Sequence, residues 1–197
     1  MVDAGIGRLL ISSLHQGIAD VSPNRLDFYE NWLTPSGMRD GRIGLAPLGA
    51  VLSFLHREEP PSNDRIATRA GVCAADWTYQ ELPVFRRWWI SKLPLGLRSR
   101  AALGLGKRLV LATVKQSKVK NRISGTQAVV EIKSALCDQL RDPSTVPMRG
   151  FYTAALQRLF LHCDVDAVVS PASEQPGGWN LAVAVNGARL PGTVDAA

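Results

Sequence analysis

Acidic residues are missing from a long stretch of this 197-residue chain. Between Glu81 and Glu131 there is no Asp or Glu, whereas the same stretch contains eleven Lys and Arg residues. The formal net charge of the whole chain is +6. Because these charges have no local acidic partners, we predict a basic region of surface whatever the fold. Nucleic acid, an anionic lipid or an acidic partner would suit such a surface.

Cysteine is sparse as well. Cys73, Cys137 and Cys163 are far apart in sequence and form no CxxC pair. The three histidines fall on separate predicted helices, and none has a second ligand at helical spacing. Disulfide frameworks and zinc sites need such pairs. We therefore expect reduced thiols, no bound metal and no cofactor.

Long apolar runs and catalytic motifs are also missing. No uncharged apolar run reaches the roughly 18–20 residues that a membrane span needs, so we expect no transmembrane segment and a cytoplasmic location. Gly106-Lys107 is not part of a phosphate-binding GxxxxGK motif, because Ala101 stands where its first glycine would be. The nucleotide-binding GxGxxG and the hydrolase GxSxG motifs do not occur. No catalytic residue can be nominated.

Helical spacing of apolar residues dominates the chain up to about residue 116. It predicts a first helix over 4–19, a short second helix after Ser22-Pro23, and a third over 45–57. Pro60 to Asp64 is predicted to be a linker, and Asn63 or Asp64 is expected to cap a fourth helix that runs through Trp77. Pro83 and Pro94 then separate a short aromatic helix from a basic helix over about 97–116.

The apolar period changes from helical to alternating after Ser117. Residues 118–134 alternate around the turn at Ser124-Gly125, and 164–186 alternate around a Pro-Gly-Gly loop. An apolar stripe at helical spacing lies between them, over 149–162. This order predicts an α+β fold in which helices pack on an antiparallel sheet of two hairpins with an intervening helix.

A cluster of aromatic residues immediately precedes the acid-free stretch. Its members are Trp77, Tyr79, Phe85, Trp88 and Trp89. Aromatic rings beside Arg86 can form a binding wall, because they supply apolar area while the guanidinium pairs with a carboxylate or stacks on a ring. The alternative is ordinary packing of these helices beneath a solvated basic face. Cys73 is open to two interpretations in the same way, as a small core residue or as a reactive thiol.

Several segments resemble the 4-vinyl-reductase-type domain, which is related to subunits of the TRAPP vesicle-tethering complex. They are the strand AVVEIKSALC, the helix GFYTAALQRLF, the strands DVDAVVS and WNLAVAV, and upstream the helix RAGVCAADW. The resemblance covers residues 66–186. It implies a helical layer on a small twisted antiparallel sheet, frequent dimers, and an apolar cavity for a hydrophobic ligand. The family's cysteines near the last two strands are absent from 172–178.

The sequence therefore predicts one compact domain with two regions. Residues 1–60 form a helical region for dimerisation or packing, and residues 61–197 form the 4-vinyl-reductase-type α+β region. A homodimer is expected because the first and third helices each offer an apolar stripe. The alternating strands and the apolar helices between them supply one shared core.

The predicted function is that of a noncatalytic module whose apolar cavity binds a lipid-like, aromatic or tetrapyrrole ligand, or a partner protein. The predicted ligand-binding residues are Cys73, Trp77, Phe85, Arg86, Trp88, Trp89, Phe151 and Tyr152. An accessory or catalytic component of a biosynthetic enzyme system is the alternative. Nucleic-acid binding ranks last, because only the basic stretch favours it and no helix-turn-helix, RNP motif or zinc finger occurs.

Overall fold

Helices occupy the first part of the chain and strands the last part. A computed structural model describes residues 5–27, 45–58, 60–134, 146–175 and 178–188. The α-helices in these ranges are α1 (Arg8–Val21), α2 (Leu45–Glu58), α3 (Pro60–Gln80), α4 (Val84–Lys92), α5 (Leu95–Thr113) and α6 (Val146–His162). The strands are β1 (Lys118–Ser124), β2 (Gln127–Lys133), β3 (Val165–Gln175) and β4 (Gly178–Ala188). None of the described helices combines the length and the apolar character needed to cross a membrane.

The four strands form one antiparallel sheet in the order β1-β2-β4-β3. In the first hairpin Ser124 pairs with Gln127 across a two-residue turn, in which Gly125 has a φ of 59°. Such a left-handed φ costs glycine little. The turn residues are Gly125 and Thr126, one position later than the predicted Ser124-Gly125. The second hairpin joins β3 to β4, and α6 lies between the hairpins in the chain. The predicted α+β class and both predicted hairpins are confirmed.

The core lies between the sheet and α6. Alternate residues of β2 and β4 are buried: Ala128, Val130, Ile132, Trp179, Leu181 and Val183. From α6, Phe151 and Tyr152 are buried, and the Tyr152 ring lies 5.7 Å from the Trp179 ring. The Tyr152 hydroxyl also forms a 2.9 Å hydrogen bond with the Thr113 hydroxyl, which ties α6 to the end of α5. The helix predicted over 149–162 is therefore the element that packs on the sheet.

Small residues allow α3 to pack closely against both α1 and α6. A Cβ atom on Gly71 of α3 would collide with the Phe151 carbonyl oxygen of α6. A Cβ atom on Gly17 of α1 would lie 2.7 Å from the Ile66 carbonyl oxygen of α3. At both positions a Cβ atom would come too close to a backbone oxygen atom of the neighbouring helix. Each pair of helices therefore approaches at a separation that only glycine permits.

The apolar stripes of α1 and α2 are covered within a single chain. Leu10, Leu14 and Ile18 of α1 and Leu48 and Leu52 of α2 are all buried. These stripes were the sequence-based reason to expect a homodimer. Because the chain buries them itself, that reason no longer applies.

Pro60 begins a helix and is not part of a linker. The linker predicted over 60–64 is wrong, because proline is compatible with the first turn of a helix and α3 starts there. Asn63 and Asp64, the predicted caps, therefore lie inside α3. Most of the predicted second helix lies outside the described residues. The division of the chain into 1–60 and 61–197 stays a prediction.

Candidate ligand-binding site

A cavity of about 450 Å³ lies between the first turns of α5 and the β1–β2 hairpin. Leu103 and Phe160 form its buried inner wall, while Leu97 and Ile123 are exposed at its edge. The hairpin turn closes one side with Gly125 and neighbouring residues. Ligand pockets in proteins have volumes of roughly 300–1,000 Å³ and mainly apolar walls. The cavity meets both criteria.

The local sequence fixes the end of α5 that forms this wall. Pro94 precedes the helix in an extended conformation, so α5 begins sharply at Leu95. Arg98 then donates a 2.6 Å hydrogen bond from Nε to the Leu93 carbonyl oxygen and a 3.4 Å bond from Nη1 to the Asp164 carbonyl oxygen. These bonds hold the start of α5 against the segment that connects α6 to β3.

Arg100 supplies the charge of the cavity. It is the one charged side chain among the described residues that line the cavity. No carboxylate in the described part of the chain forms an ion pair with it, and it is exposed to solvent. A guanidinium group can bind a carboxylate or phosphate through two parallel hydrogen bonds. The cavity therefore combines apolar walls with one group suited to an anion.

A second groove, of about 600 Å³, runs between α3 and α6 beside β3. Two of its polar side chains already have partners within the fold. Gln157 donates to the Ala167 carbonyl oxygen and accepts a 2.9 Å hydrogen bond from the Val169 amide, so it pairs with the backbone of the edge strand β3. Arg158 pairs with a carboxylate of α3 at 2.7 Å. These polar groups serve the fold, which makes the groove the weaker candidate.

The carboxylate that pairs with Arg158 belongs to Asp76, which joins α3 to α6. Asp76 Oδ1 accepts a hydrogen bond from Arg158 Nε at 2.7 Å and lies 2.6 Å from His162 Nε2. The His162 ring stacks on Tyr79, with 4.5 Å between ring centroids. Burial raises the pKa of Asp76, but the hydrogen bonds from Arg158 and His162 outweigh it, and the pKa lies below its ordinary value. Asp76 lies on α3 and both of its partners lie on α6, so the geometry of this group is that of a helix–helix lock.

Replacing Asp76 by Asn tests this lock. We expect Asp76→Asn to lower the free energy of unfolding by about 1 kcal/mol at neutral pH, because the pairing groups are partly exposed. The folded-state pKa lies below that of the unfolded chain, so the stabilisation is complete above about pH 4 and is lost as the pH falls through the folded-state pKa. Urea unfolding of both proteins between about pH 7 and about pH 2 measures this, and the difference between their free energies of unfolding should shrink as the pH falls.

Asp166→Asn is the control for this comparison, because Asp166 is exposed on β3 and has no ion pair in the described residues. Asp166→Asn should change the free energy of unfolding little at any pH. The difference in free energy of unfolding between wild type and Asp76→Asn is expected to shrink as the pH falls. If it stayed constant or grew, the assignment of Asp76 to a helix–helix lock would be wrong.

The residues predicted to bind a ligand fall into separate groups. Phe85, Trp88 and Trp89 lie on α4 and are exposed. Arg86, on the same helix, is exposed beside a shallow groove between α4 and α5. Phe151 and Tyr152 are sealed in the core, with their rings perpendicular and 5.1 Å apart. The structure does not bring these two groups together, and their contact with a ligand stays a prediction.

Cys73 and Trp77 lie on α3, where Cys73 is buried and Trp77 is half-buried. Burial raises the pKa of the Cys73 thiol, and it raises the pKa of Cys163 to about 12. Both thiols are therefore protonated at neutral pH, which disfavours a reactive role. The described residues contain no group of three His, Cys, Asp or Glu side chains placed to hold a metal ion.

Sequence reasoning missed the cavity beside Arg100. The sequence carried no signal for it, because Ile123 is one apolar residue in an alternating strand, and single apolar residues at a surface are ordinary. The sequence could not show that the first turns of α5 lie opposite it.

Solved structures with a similar fold are H-NOX proteins. The unliganded Fe(II) H-NOX protein from K. algicida matches with a TM-score of 0.59 at 10% sequence identity, over 92% of this chain and 97% of that chain. A doubly substituted Tt H-NOX protein matches with a TM-score of 0.50 at 11% identity, over 94% and 97%. The chain has the H-NOX fold. A structure described as "Modulating Heme Redox Potential Through Protein-Induced Porphyrin Distortion" also matches, with a TM-score of 0.50 at 13% identity, over 91% and 99%.

The H-NOX fold corrects the family suggested by the sequence. The resemblance to the 4-vinyl-reductase-type domain and to TRAPP subunits is wrong, because the matching structures are H-NOX proteins. The element order that carried the resemblance fits the H-NOX fold as well, so the pattern of elements was right and the family was not. No protein-family model matches the sequence, and no curated protein matches it.

Proposed function

We propose that this chain is a noncatalytic binding module that holds an apolar molecule with an anionic group in the cavity beside Arg100. The observation that carries this proposal is a half-open cavity of about 450 Å³ with mainly apolar described walls, at whose edge Arg100 has no described carboxylate as a partner. Leu103 and Phe160 would contact the apolar body of the ligand. Arg100 would pair with its carboxylate, sulfonate or phosphate.

One of the solved structures that match this fold concerns heme and its redox potential. Heme iron is bound in proteins by a His, Cys, Met or Tyr side chain. None of these residue types is among the described residues that line the cavity beside Arg100 or the groove between α3 and α6. His162 is engaged by Asp76 and Tyr79, and Cys163 is a buried, protonated thiol. The described walls of these two pockets therefore offer no side chain to bind heme iron, and the proposed ligand is free of metal.

The other predicted functions have less support. A homodimer remains a proposal. The apolar stripes of α1 and α2, which were a reason to expect it, are buried within the chain. A catalytic or accessory role in biosynthesis has no specific observation in its favour among the described residues.

The proposal can be tested by filling the cavity from its own wall. A Cβ atom added at Gly96, which lines the cavity, meets nothing within 4 Å. Gly96→Leu should therefore occupy ligand space without straining the fold, and leucine should favour the helix. We expect this variant to bind anilinonaphthalene sulfonate, an apolar anionic fluorescent probe, about tenfold more weakly than wild type. Its melting temperature should be unchanged or higher.

Gly104→Leu is the matched control. It makes the same change in the same helix, also meets nothing within 4 Å, and does not line this cavity. It should gain helix stability and keep the wild-type affinity for the probe. Equal probe affinities for Gly96→Leu, Gly104→Leu and wild type would show that the probe binds elsewhere. Hemin binding far more tightly than metal-free protoporphyrin would overturn the proposal of a metal-free ligand.

A further inference from the structure

Helix α4 presents its large apolar side chains to solvent. Val84, Phe85, Trp88 and Trp89 are 72%, 68%, 55% and 50% exposed. Ile90 is the buried residue of this helix, and it anchors α4 to the core beside Leu82. Large aromatic residues gain nothing for the fold in such positions, so they indicate a surface used for contact with another body.

The four exposed residues form one continuous patch, which we call the α4 aromatic patch. Their spacing of i, i+1, i+4 and i+5 places them on one side of the helix. The ring of Phe85 lies 6.3 Å from that of Trp88 and 6.2 Å from that of Trp89, and the two indole rings are 6.5 Å apart. The rings therefore contact each other while much of their area remains open to solvent.

The helix that carries the α4 aromatic patch is also basic, with Lys92 on the side of the patch and Arg86 and Arg87 flanking the buried Ile90. Arg86, Arg87 and Lys92 belong to the same helix, and none of them forms an ion pair with a described carboxylate. No acidic residue follows in the chain until Glu131. The acidic residue just before the helix, Glu81, is itself paired with Arg108 at 2.8 Å. Helix α4 thus carries exposed indole and phenyl rings together with three cations that no described carboxylate pairs with.

This combination matches the surface of an anionic bilayer. Tryptophan is favoured at the headgroup level, where its ring is partly apolar and its N–H remains solvated. Each Lys or Arg close to an anionic membrane adds attraction to the lipid headgroups. A second copy of this chain fits less well, because a two-fold contact through α4 would oppose the same cations across the interface.

We propose that the α4 aromatic patch docks this protein on the surface of an anionic lipid bilayer. Trp88, Trp89 and Phe85 enter the headgroup region, while Arg86, Arg87 and Lys92 contact lipid phosphates and carboxylates. The contact is peripheral, since α4 has nine residues and is about 13 Å long, whereas the hydrocarbon core is about 30 Å thick. This inference does not depend on the ligand proposed for the cavity.

Co-sedimentation with vesicles tests the inference. We expect the protein to bind vesicles of equal parts phosphatidylserine and phosphatidylcholine at least about tenfold more tightly than vesicles of phosphatidylcholine alone. The double variant Trp88→Gln, Trp89→Gln should lose at least about tenfold in affinity for the mixed vesicles. The triple variant Arg86→Gln, Arg87→Gln, Lys92→Gln should lose about 100-fold and keep only weak, salt-insensitive binding.

Val168→Gln is the control for loss of an exposed apolar side chain elsewhere, because Val168 on the edge strand β3 is 54% exposed, a fraction close to those of Trp88 and Trp89. It should bind the mixed vesicles like wild type. Circular dichroism melts of all variants establish that they are folded. Failure of the wild type to bind the mixed vesicles, or equal binding by the tryptophan variant, overturns the proposal. Loss of self-association in the tryptophan variant without any vesicle binding would instead assign the patch to a contact between copies, which also overturns it.

Discussion

Replacing Phe151 by Ala is expected to lower the free energy of unfolding by about 3–5 kcal/mol. Phe151 is fully buried, its ring contacts Tyr152 edge to face, and its backbone is where α6 meets α3. Truncation to alanine removes apolar area from the core and leaves a cavity that these closely packed helices cannot collapse to fill. Urea unfolding monitored by tryptophan fluorescence and circular dichroism measures the loss.

Phe85→Ala makes the same chemical change on α4, and here we expect a change within about 0.5 kcal/mol. Phe85 and Phe151 belong to one ligand site predicted from the sequence, whereas in the structure Phe85 is exposed and Phe151 is in the core. Similar losses for the two variants would contradict the structure. If Phe151→Ala does not fold at all, Phe151→Leu should still fold with a smaller loss, because leucine fills more of the space.

Replacing Gly71 by Ala is expected to cost about 1–3 kcal/mol, although alanine is the better helix former. The new Cβ atom would strike the Phe151 carbonyl oxygen, which is backbone and cannot rotate away. Helices α3 and α6 would have to separate, and α3 also packs on α1. The shift in melting temperature and in urea midpoint measures the cost.

Gly104→Ala is the control, and it should change stability in the opposite direction. Its added Cβ atom meets nothing within 4 Å, so only the helix propensity acts, and we expect a gain of about 0.5–1 kcal/mol. If Gly71→Ala were as stabilising as Gly104→Ala, the close approach of α3 and α6 would be wrong.

The order and type of the elements are written in the sequence. Apolar spacing in α1, α5 and α6, and alternation in the two hairpins, depend on residues that are neighbours in the chain. Gly125 marks the first turn for the same local reason, since glycine accepts the φ that the turn requires. The acid-free basic stretch is equally a property of the sequence, and it does not depend on how the helices pack.

Tertiary structure alone decided where the aromatic residues face. Helical spacing shows that Phe85, Trp88 and Trp89 share a side of α4, but it cannot show whether that side meets the core or solvent. The core was completed by other residues, Leu82 and Ile90, which lie on the opposite side of the same segment. The opposite happened for the apolar faces of α1 and α2. The sequence predicted that they are exposed for a dimer contact, but they are buried by packing within one chain.

The candidate cavity is likewise a product of long-range packing. Its walls come from the start of α5, the β1–β2 turn, α6 and β4, and the residues that line it extend in sequence from Pro94 to Val185. No periodicity within one segment records which other segment it will meet. The sequence determined the elements and the charge of this protein, whereas the contacts between distant segments decided which surfaces remain open to bind.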